Sequence, residues 1–578
     1  MTGPAAPKDP EKARPFFYIL KDKDIFGERQ KDGTGIQFIY ESDGRLINSA
    51  QITGNVTDKE ELTLLETVEG FGRLVHSIGV SVETDRPEET AEFVFQMYGK
   101  KDLYGGGTNL TTSLKCDGME HRIYLSDYRW TEDDHVPGQI KILFAAPERM
   151  GKVSVRLFLN DGYEAPPEKE DLVIDMHSEE YCGMISRSLL QLGNPYRIRK
   201  AIEKSKAGKE VTLAYIGGSI TQGAGAIPIH TECYAYKSFQ LFQNRFSTQN
   251  NVRFIKAGVG GTPSELGMIR FDRDVLREGE RPDIVVIEFA VNDEGDETKG
   301  VCYESLVRKV LKLPWKPAVV LLFSVFANDW NLQERLRPVG DLYDLPMVSI
   351  RDAVTPQFSL KCGEGRILSK NQFFYDIFHP NNTGHTIMAD CLQYLFERCD
   401  AAEPARVGTF VEGMTEEQIL SEKLSGPAVI GADFERIFLL DKKNRYVGAK
   451  IRAGSFTSTD IELQSVEMDG NLTQTPEFPY NWMYDGSRPQ MSGFEMEITC
   501  KSLFLIFKDS GETDVGKANV FVNDVYCMTA DPHKNNWLHC NAVLLFWETE
   551  SRSHKVRIAV TEEDRNKKFT ILGFGYTI

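Results

Sequence analysis

One serine stands in a setting suited to nucleophilic chemistry: Tyr215-Ile216-Gly217-Gly218-Ser219-Ile220-Thr221-Gln222-Gly223, a glycine-rich loop following a short apolar run. Glycines let the chain turn tightly and keep side chains away from the hydroxyl. The loop lacks the GK[ST] ending of a phosphate cradle, and Ile220 and Thr221 depart from the GxSxG elbow. A turn serine has the same local sequence, so Ser219 by itself decides nothing. Far downstream comes Phe373-Phe374-Tyr375-Asp376-Ile377-Phe378-His379-Pro380. An Asp three residues before a His can fold back and accept the imidazole Nδ1 proton, which leaves Nε2 facing a nucleophile. Taken alone, Asp376 can cap a turn and His379 can be structural. His385, six residues further on, could be a partner or metal ligand, but its offset matches no zinc spacing.

Two further segments lie between these ends: Ala257-Gly258-Val259-Gly260-Gly261-Thr262-Pro263-Ser264 and Phe289-Ala290-Val291-Asn292-Asp293. A tetrahedral oxyanion needs preorganised N–H donors, and the amides of Ser219 and Gly261 with the side chain of Asn292 can supply them. Separately, Gly261 reads as a turn and Asn292 as a cap.

These residues need a scaffold that brings their loops together. Continuous apolar runs at 211–216, 252–257, 284–289 and 318–326 alternate with helical patterns at 195–206, 234–246, 265–276, 303–312 and 383–396. Runs of this kind suit strands covered on both faces, and the alternation predicts a parallel sheet between helices. Ser219, Gly261 and Asn292 then fall beyond the carboxyl ends of successive strands, where open α/β sheets place their ligand crevice. Before and after this region the apolar residues alternate with period two between turn residues, which predicts antiparallel β-sandwiches. The expected class is α/β: a central parallel sheet flanked by helices, with N-terminal and C-terminal antiparallel β-sandwich modules. The expected division is 1–185, 186–402 and 403–578, consistent with 578 residues being too many for a single core.

The four signals occurring in this order resemble the marks of the SGNH (GDSL-type) hydrolase superfamily, over about residues 210–399. Gly217-Gly218-Ser219 departs from Gly-Asp-Ser, and Ala290-Val291-Asn292-Asp293 departs from the variant with Gly before the Asn; both departures are similar to those of the superfamily's carbohydrate esterases. The resemblance implies a serine esterase with Ser219, Asp376 and His379 as triad, Ser219, Gly261 and Asn292 as oxyanion hole, and no cofactor or metal. It further implies removal of O-acetyl groups from xylan- or mannan-derived oligosaccharides. The alternatives are a lipase, lysophospholipase or thioesterase on the same triad, or a non-catalytic glycan-binding protein.

The net charge of -18 opposes binding to nucleic acid or anionic lipid surfaces. An aromatic content of 11% leaves side chains for stacking on sugars, with Trp330, Trp482 and Trp537 as candidates, although each can equally be a core residue. The C-terminal module is a candidate carbohydrate binder. No apolar run reaches the roughly 18 residues of a membrane span, no signal-like segment opens the chain, and ten cysteines are scattered without metal-like pairs. A cytoplasmic location is expected.

Overall fold

The computed structural model describes residues 13–41, 44–168, 171–361, 364–402, 414–470, 473–487, 492–535 and 537–578. The central sheet has six strands in the order Leu189–Gln191, Met347–Ser349, Ala318–Phe323, Ile284–Glu288, Val211–Gly217, Val252–Gly258. All neighbours pair in parallel except Leu189–Gln191, which runs antiparallel along one edge. The fully parallel sheet expected from the sequence is corrected on this point: a three-residue, half-buried strand is too short to show a period.

Residues alternate between two cores. Leu213, Tyr215, Ile284 and Val286 face the layer formed by helices Tyr196–Lys206, Tyr234–Phe246 and Asn382–Ala401. Ala214, Ile216, Val285 and Ile287 face Ser264–Phe271, Val301–Leu311 and Gln333–Tyr343. Helices Gln333–Tyr343 and Ile350–Phe358 carry Pro338 and Pro356, which read as breakers in sequence, so these two helices were not anticipated.

The N-terminal region forms two antiparallel sheets, of four and five strands. They enclose one core, with Ile78 and Val155 from the first meeting Phe93 and Ile140 from the second. Three helices, Arg45–Thr53, Lys59–Leu64 and Val68–Leu74, interrupt the expected all-β run. The C-terminal region departs further from a sandwich of separate sheets. Its main sheet has eight hydrogen-bonded strands, built on Phe494–Asp509 and His539–Val560, beside a two-stranded ribbon of Ser465–Glu467 and Gln474–Pro476. Register shifts near Cys500 and Leu503 divide Phe494–Asp509 into two halves. The first half pairs with Ala449–Arg452 and the second with Phe569–Thr577, and both contribute to one core.

This C-terminal sheet also closes one core of the central α/β region. Phe504, Ile506 and Leu572 join the helices that cover Ala214 and Ile287. A buried ionic chain crosses the same junction: Arg270 Nη1 meets Asp274 Oδ2 at 3.0 Å, Arg273 Nη2 meets Asp274 Oδ2 at 2.9 Å, and Arg273 pairs with Glu477. Removing one member of a buried pair strands its partner's charge, at about 3–5 kcal/mol. Glu477→Ala should therefore lower stability by about that amount in urea unfolding; a variant as stable as the parent would show that solvent reaches Arg273.

Candidate active site

Strand Val211–Gly217 delivers Ser219 into a four-residue helix, Ser219–Gln222, which Gly223 ends at φ 109°. Gly217 and Gly218 are required by close approach. A Cβ at Gly217 would lie 2.2 Å from Thr221 Oγ1, and one at Gly218 would lie 2.2 Å from Asn292 Oδ1. Ser219 Oγ is 2.9 Å from His379 Nε2, and His379 Nδ1 is 2.9 Å from Asp376 Oδ2. Asp376 Oδ1 accepts the backbone N–H groups of Phe378 and His379 at 2.8 and 2.9 Å, which is why a three-residue spacing brings carboxylate and imidazole together. The loop is drawn into a hairpin by Tyr375 N donating to His379 O and Asn381 N donating to Phe373 O, both at 2.8 Å. Burial would push the Asp376 carboxyl up. The adjacent His379, Arg45 and the Phe378 amide prevail and hold it down at about 2, so it is ionised. An ionised acceptor keeps the proton on Nδ1 and leaves Nε2 free to accept from the serine.

The remaining two blocks meet Ser219 from the neighbouring strands. Gly261 takes φ +71°, and a Cβ there would meet Trp537 Cζ2 at 2.7 Å and His539 Nε2 at 2.9 Å. His539 Nε2 donates to Gly261 O at 2.9 Å. The preceding amide, Gly260 N, is already engaged by Gln222 Oε1 at 2.8 Å, and a Cβ on Gly260 would sit 3.7 Å from Ser219 Cβ. Asn292 lies flat against Gly218, with its Oδ1 buried and unpartnered among the described residues. Asp293 Oδ1 accepts Ser264 N at 2.7 Å and so ties the Asn292 loop to the one after Gly261.

Beneath these loops sits a group that sequence reading missed. Arg270, fully buried, donates to Ala257 O at 2.6 Å and Gly217 O at 2.8 Å, bridging the ends of two adjacent strands. Its only sequence signal is a lone cation in the apolar stretch Ser264–Phe271. Glu288, at the end of the third parallel strand, accepts Thr221 Oγ1 at 3.1 Å and is pushed up to about 7 by burial. His385 is structural: Nδ1 accepts Tyr234 N and Nε2 donates to Ala224 O, each at 3.1 Å, and burial drives it down to about 3. Among the described residues no His, Cys, Asp and Glu group could hold a metal ion, and no helix is long and apolar enough to cross a membrane.

The three tryptophans separate clearly. Trp537, 44% exposed, lies over Gly261 with its ring centroid 4.6 Å from that of His539. Trp330 stacks on Phe326 at 5.8 Å, and Phe326 meets Phe378 at 5.0 Å, beside His379. Trp482, expected as a sugar contact, is instead 6% exposed in the C-terminal core, edge-on to Phe494, and offers no face to a ligand.

A serine, imidazole and carboxylate relay at the carboxyl edge of a parallel sheet defines an acyl hydrolase arrangement. Residues 215–387 match the GDSL-like lipase/acylhydrolase family, so this central part of the chain resembles an SGNH (GDSL-type) acyl hydrolase domain. Among solved structures, a two-domain esterase active on acetylated mannans is 23% identical at a TM-score of 0.55, covering 68% of this chain and 98% of its own. The same esterase co-crystallised with mannopentaose is 24% identical at a TM-score of 0.53, with coverage of 68% and 98%. At these identities the likeness establishes the fold. No curated protein sequence matches the chain.

Two outcomes follow from the geometry. The Asp376 carboxyl binds its proton near 2 in the folded chain against an ordinary 3.8, so its stabilisation is present above about pH 4 and lost as pH falls towards 2. In urea titrations the deficit of Asp376→Asn should be on the order of 2 kcal/mol at neutral pH and shrink over that acid range; a pH-independent deficit would contradict the ionised pair. Gly218→Ala should displace Asn292 and cut ester turnover by about 10²-fold. By contrast Gly183→Ala, where a Cβ would meet nothing within 4 Å, should leave turnover intact.

Proposed function

We propose that this protein is a serine esterase that removes O-acetyl groups from plant polysaccharide-derived oligosaccharides of the mannan or xylan type. The observation that carries the reading is the unbroken relay from Asp376 Oδ2 through His379 to Ser219 Oγ, with both contacts at 2.9 Å. In the first step His379 Nε2 takes the Ser219 proton as Oγ bonds to the ester carbonyl carbon. The resulting oxyanion is held by the amides of Ser219 and Gly261 and the side-chain amide of Asn292. Collapse breaks the bond to the sugar oxygen, which takes the proton from His379 and departs, so that the acetyl group remains on Ser219 Oγ. Water, deprotonated by the same imidazole, then releases acetate and restores the serine. Asp376 stays ionised throughout and stabilises the imidazolium.

The sugar preference is supported by the fold likeness to the mannan esterase and by aromatic faces on two sides of Ser219. Trp537 stands over the Gly261 side, while Phe378, 37% exposed and backed by Phe326 and Trp330, stands beside His379. Partly exposed aromatics around a few convergent polar groups suit a carbohydrate ring. The division into 1–185, 186–402 and 403–578 belongs to the same reading, with the last part contributing Trp537 to the site.

Acetate release from acetylated manno- and xylo-oligosaccharides, run beside p-nitrophenyl acetate and a long-chain ester, tests the proposal. Ser219→Ala should abolish release, and Asn292→Ala should lower kcat by about 10²–10³-fold. Serine-dependent turnover confined to the long-chain ester would move the substrate to lipids or thioesters. A protein that an organophosphonate fails to label would be a glycan-binding protein instead.

A further inference from the structure

Loop 371–381, which carries Asp376 and His379, leans on the N-terminal β-module. In strand Phe16–Phe26 the register against Met150–Leu159 shifts between Leu20 and Lys23, and Asp22 takes φ 52°. Lys23 lies just after this irregularity and is only 2% exposed. Its Nζ donates to Phe374 O at 2.5 Å and reaches Asn371 O at 3.4 Å, two carbonyls just ahead of Asp376. Other contacts join the same parts: Thr53 Oγ1 to Asn371 Oδ1 at 3.4 Å, Asn371 Nδ2 to Asp171 Oδ2 at 3.0 Å, and Gln372 Nε2 to Leu172 O at 2.6 Å. Tyr375, next to Asp376, packs its ring against the N-terminal core.

A buried ammonium is costly unless its donors are used. Here the acceptors with which it hydrogen-bonds are main-chain carbonyls of the loop bearing the acid and base. From this arrangement we propose that the N-terminal β-module is a brace for that loop, and that Lys23 is a positioning residue keeping His379 aimed at Ser219; the inference rests on the serine-esterase reading above. Displacing a reacting group by about 1 Å can cost about 10²-fold in rate, so a brace at the base of the loop matters even though it touches no substrate. The electrostatics agree with the geometry. Burial pushes Lys23 down to about 8, against the pull of Asp376, Asp24, Asp171 and Glu41. Glu41, itself pushed up to about 8 by burial, shares this environment with Arg45, and Tyr375 faces the same charges. The cation is therefore lost as pH rises through about 8.

The test compares the full-length parent, Lys23→Met and Ser219→Ala in steady-state hydrolysis of p-nitrophenyl acetate, organophosphonate labelling rate and circular dichroism. Lys23→Met should stay folded and keep KM within about twofold, while kcat and labelling rate fall about tenfold to a hundredfold. A folded Lys23→Met with parental kcat and labelling overturns the brace, whereas activity surviving in Ser219→Ala overturns the serine reading itself. Should Lys23→Met fail to fold, Lys23→Arg decides: its permanent charge should abolish the fall in parental kcat near pH 8, and superimposable pH profiles overturn the proposal.

Discussion

The guanidinium of Arg270 spans two adjacent parallel strands at the level where both end. A β-ladder leaves carbonyls at its tips, and when those tips are buried the carbonyls need donors from elsewhere. Ala257 O accepts from Arg270, and Gly217 O accepts from Arg270 as well as from Val259 N, so the guanidinium helps to set the spacing between the strand that delivers Ser219 and the strand that delivers Gly261. Its charge then has to be answered in the interior. Asp274 answers it, Arg273 balances Asp274, and Glu477 of the C-terminal region balances Arg273. A requirement at the centre of the site thus extends to the joint with another module.

The buried carboxyls around the site are in different states because their neighbours differ. Asp376 faces an imidazole, Arg45 and two backbone amides and is held at about 2. The carboxyls of Glu288 and Asp293 accept from hydroxyl and amide donors, and burial raises them to about 7 and about 8. Burial disfavours the charged form of Glu288, whereas Asp376 is the anion bonded to His379, a charge distribution that favours a developing imidazolium.

The flanking modules meet different loops of the crevice. The N-terminal one touches the loop of Asp376 and His379 through Lys23 and Tyr375. The C-terminal one reaches the Gly261 turn, where His539 holds the carbonyl and Trp537 covers the glycine. Loops are the least constrained parts of an α/β domain, and here two of the site's loops are each seated against a β-module.

How much of this was legible from residues alone depends on the range of the forces involved. The Asp376–His379 pairing is local, because a carboxylate three residues ahead of a histidine can accept both its amide and its ring proton, and the structure places Ser219 opposite. The buried strands at Val211–Gly217, Val252–Gly258, Ile284–Glu288 and Ala318–Phe323 announced themselves as continuous apolar runs, since strands covered on both faces have no polar side. The short edge strand, the proline-bearing helices and the continuity of the C-terminal sheet are settled by partners distant in sequence, which outweigh local preference. The same holds for the three tryptophans: Trp482 is sealed by Phe494 and Phe574, while Trp537 lies against a glycine 276 positions upstream and keeps an open face. The sequence by itself determined which groups are able to act and the sheet that carries them, because both are written in local pattern. Tertiary structure alone decided what holds those groups in place, because Arg270, Lys23 and Trp537 acquire their roles from contacts with chain segments that no local pattern relates to them.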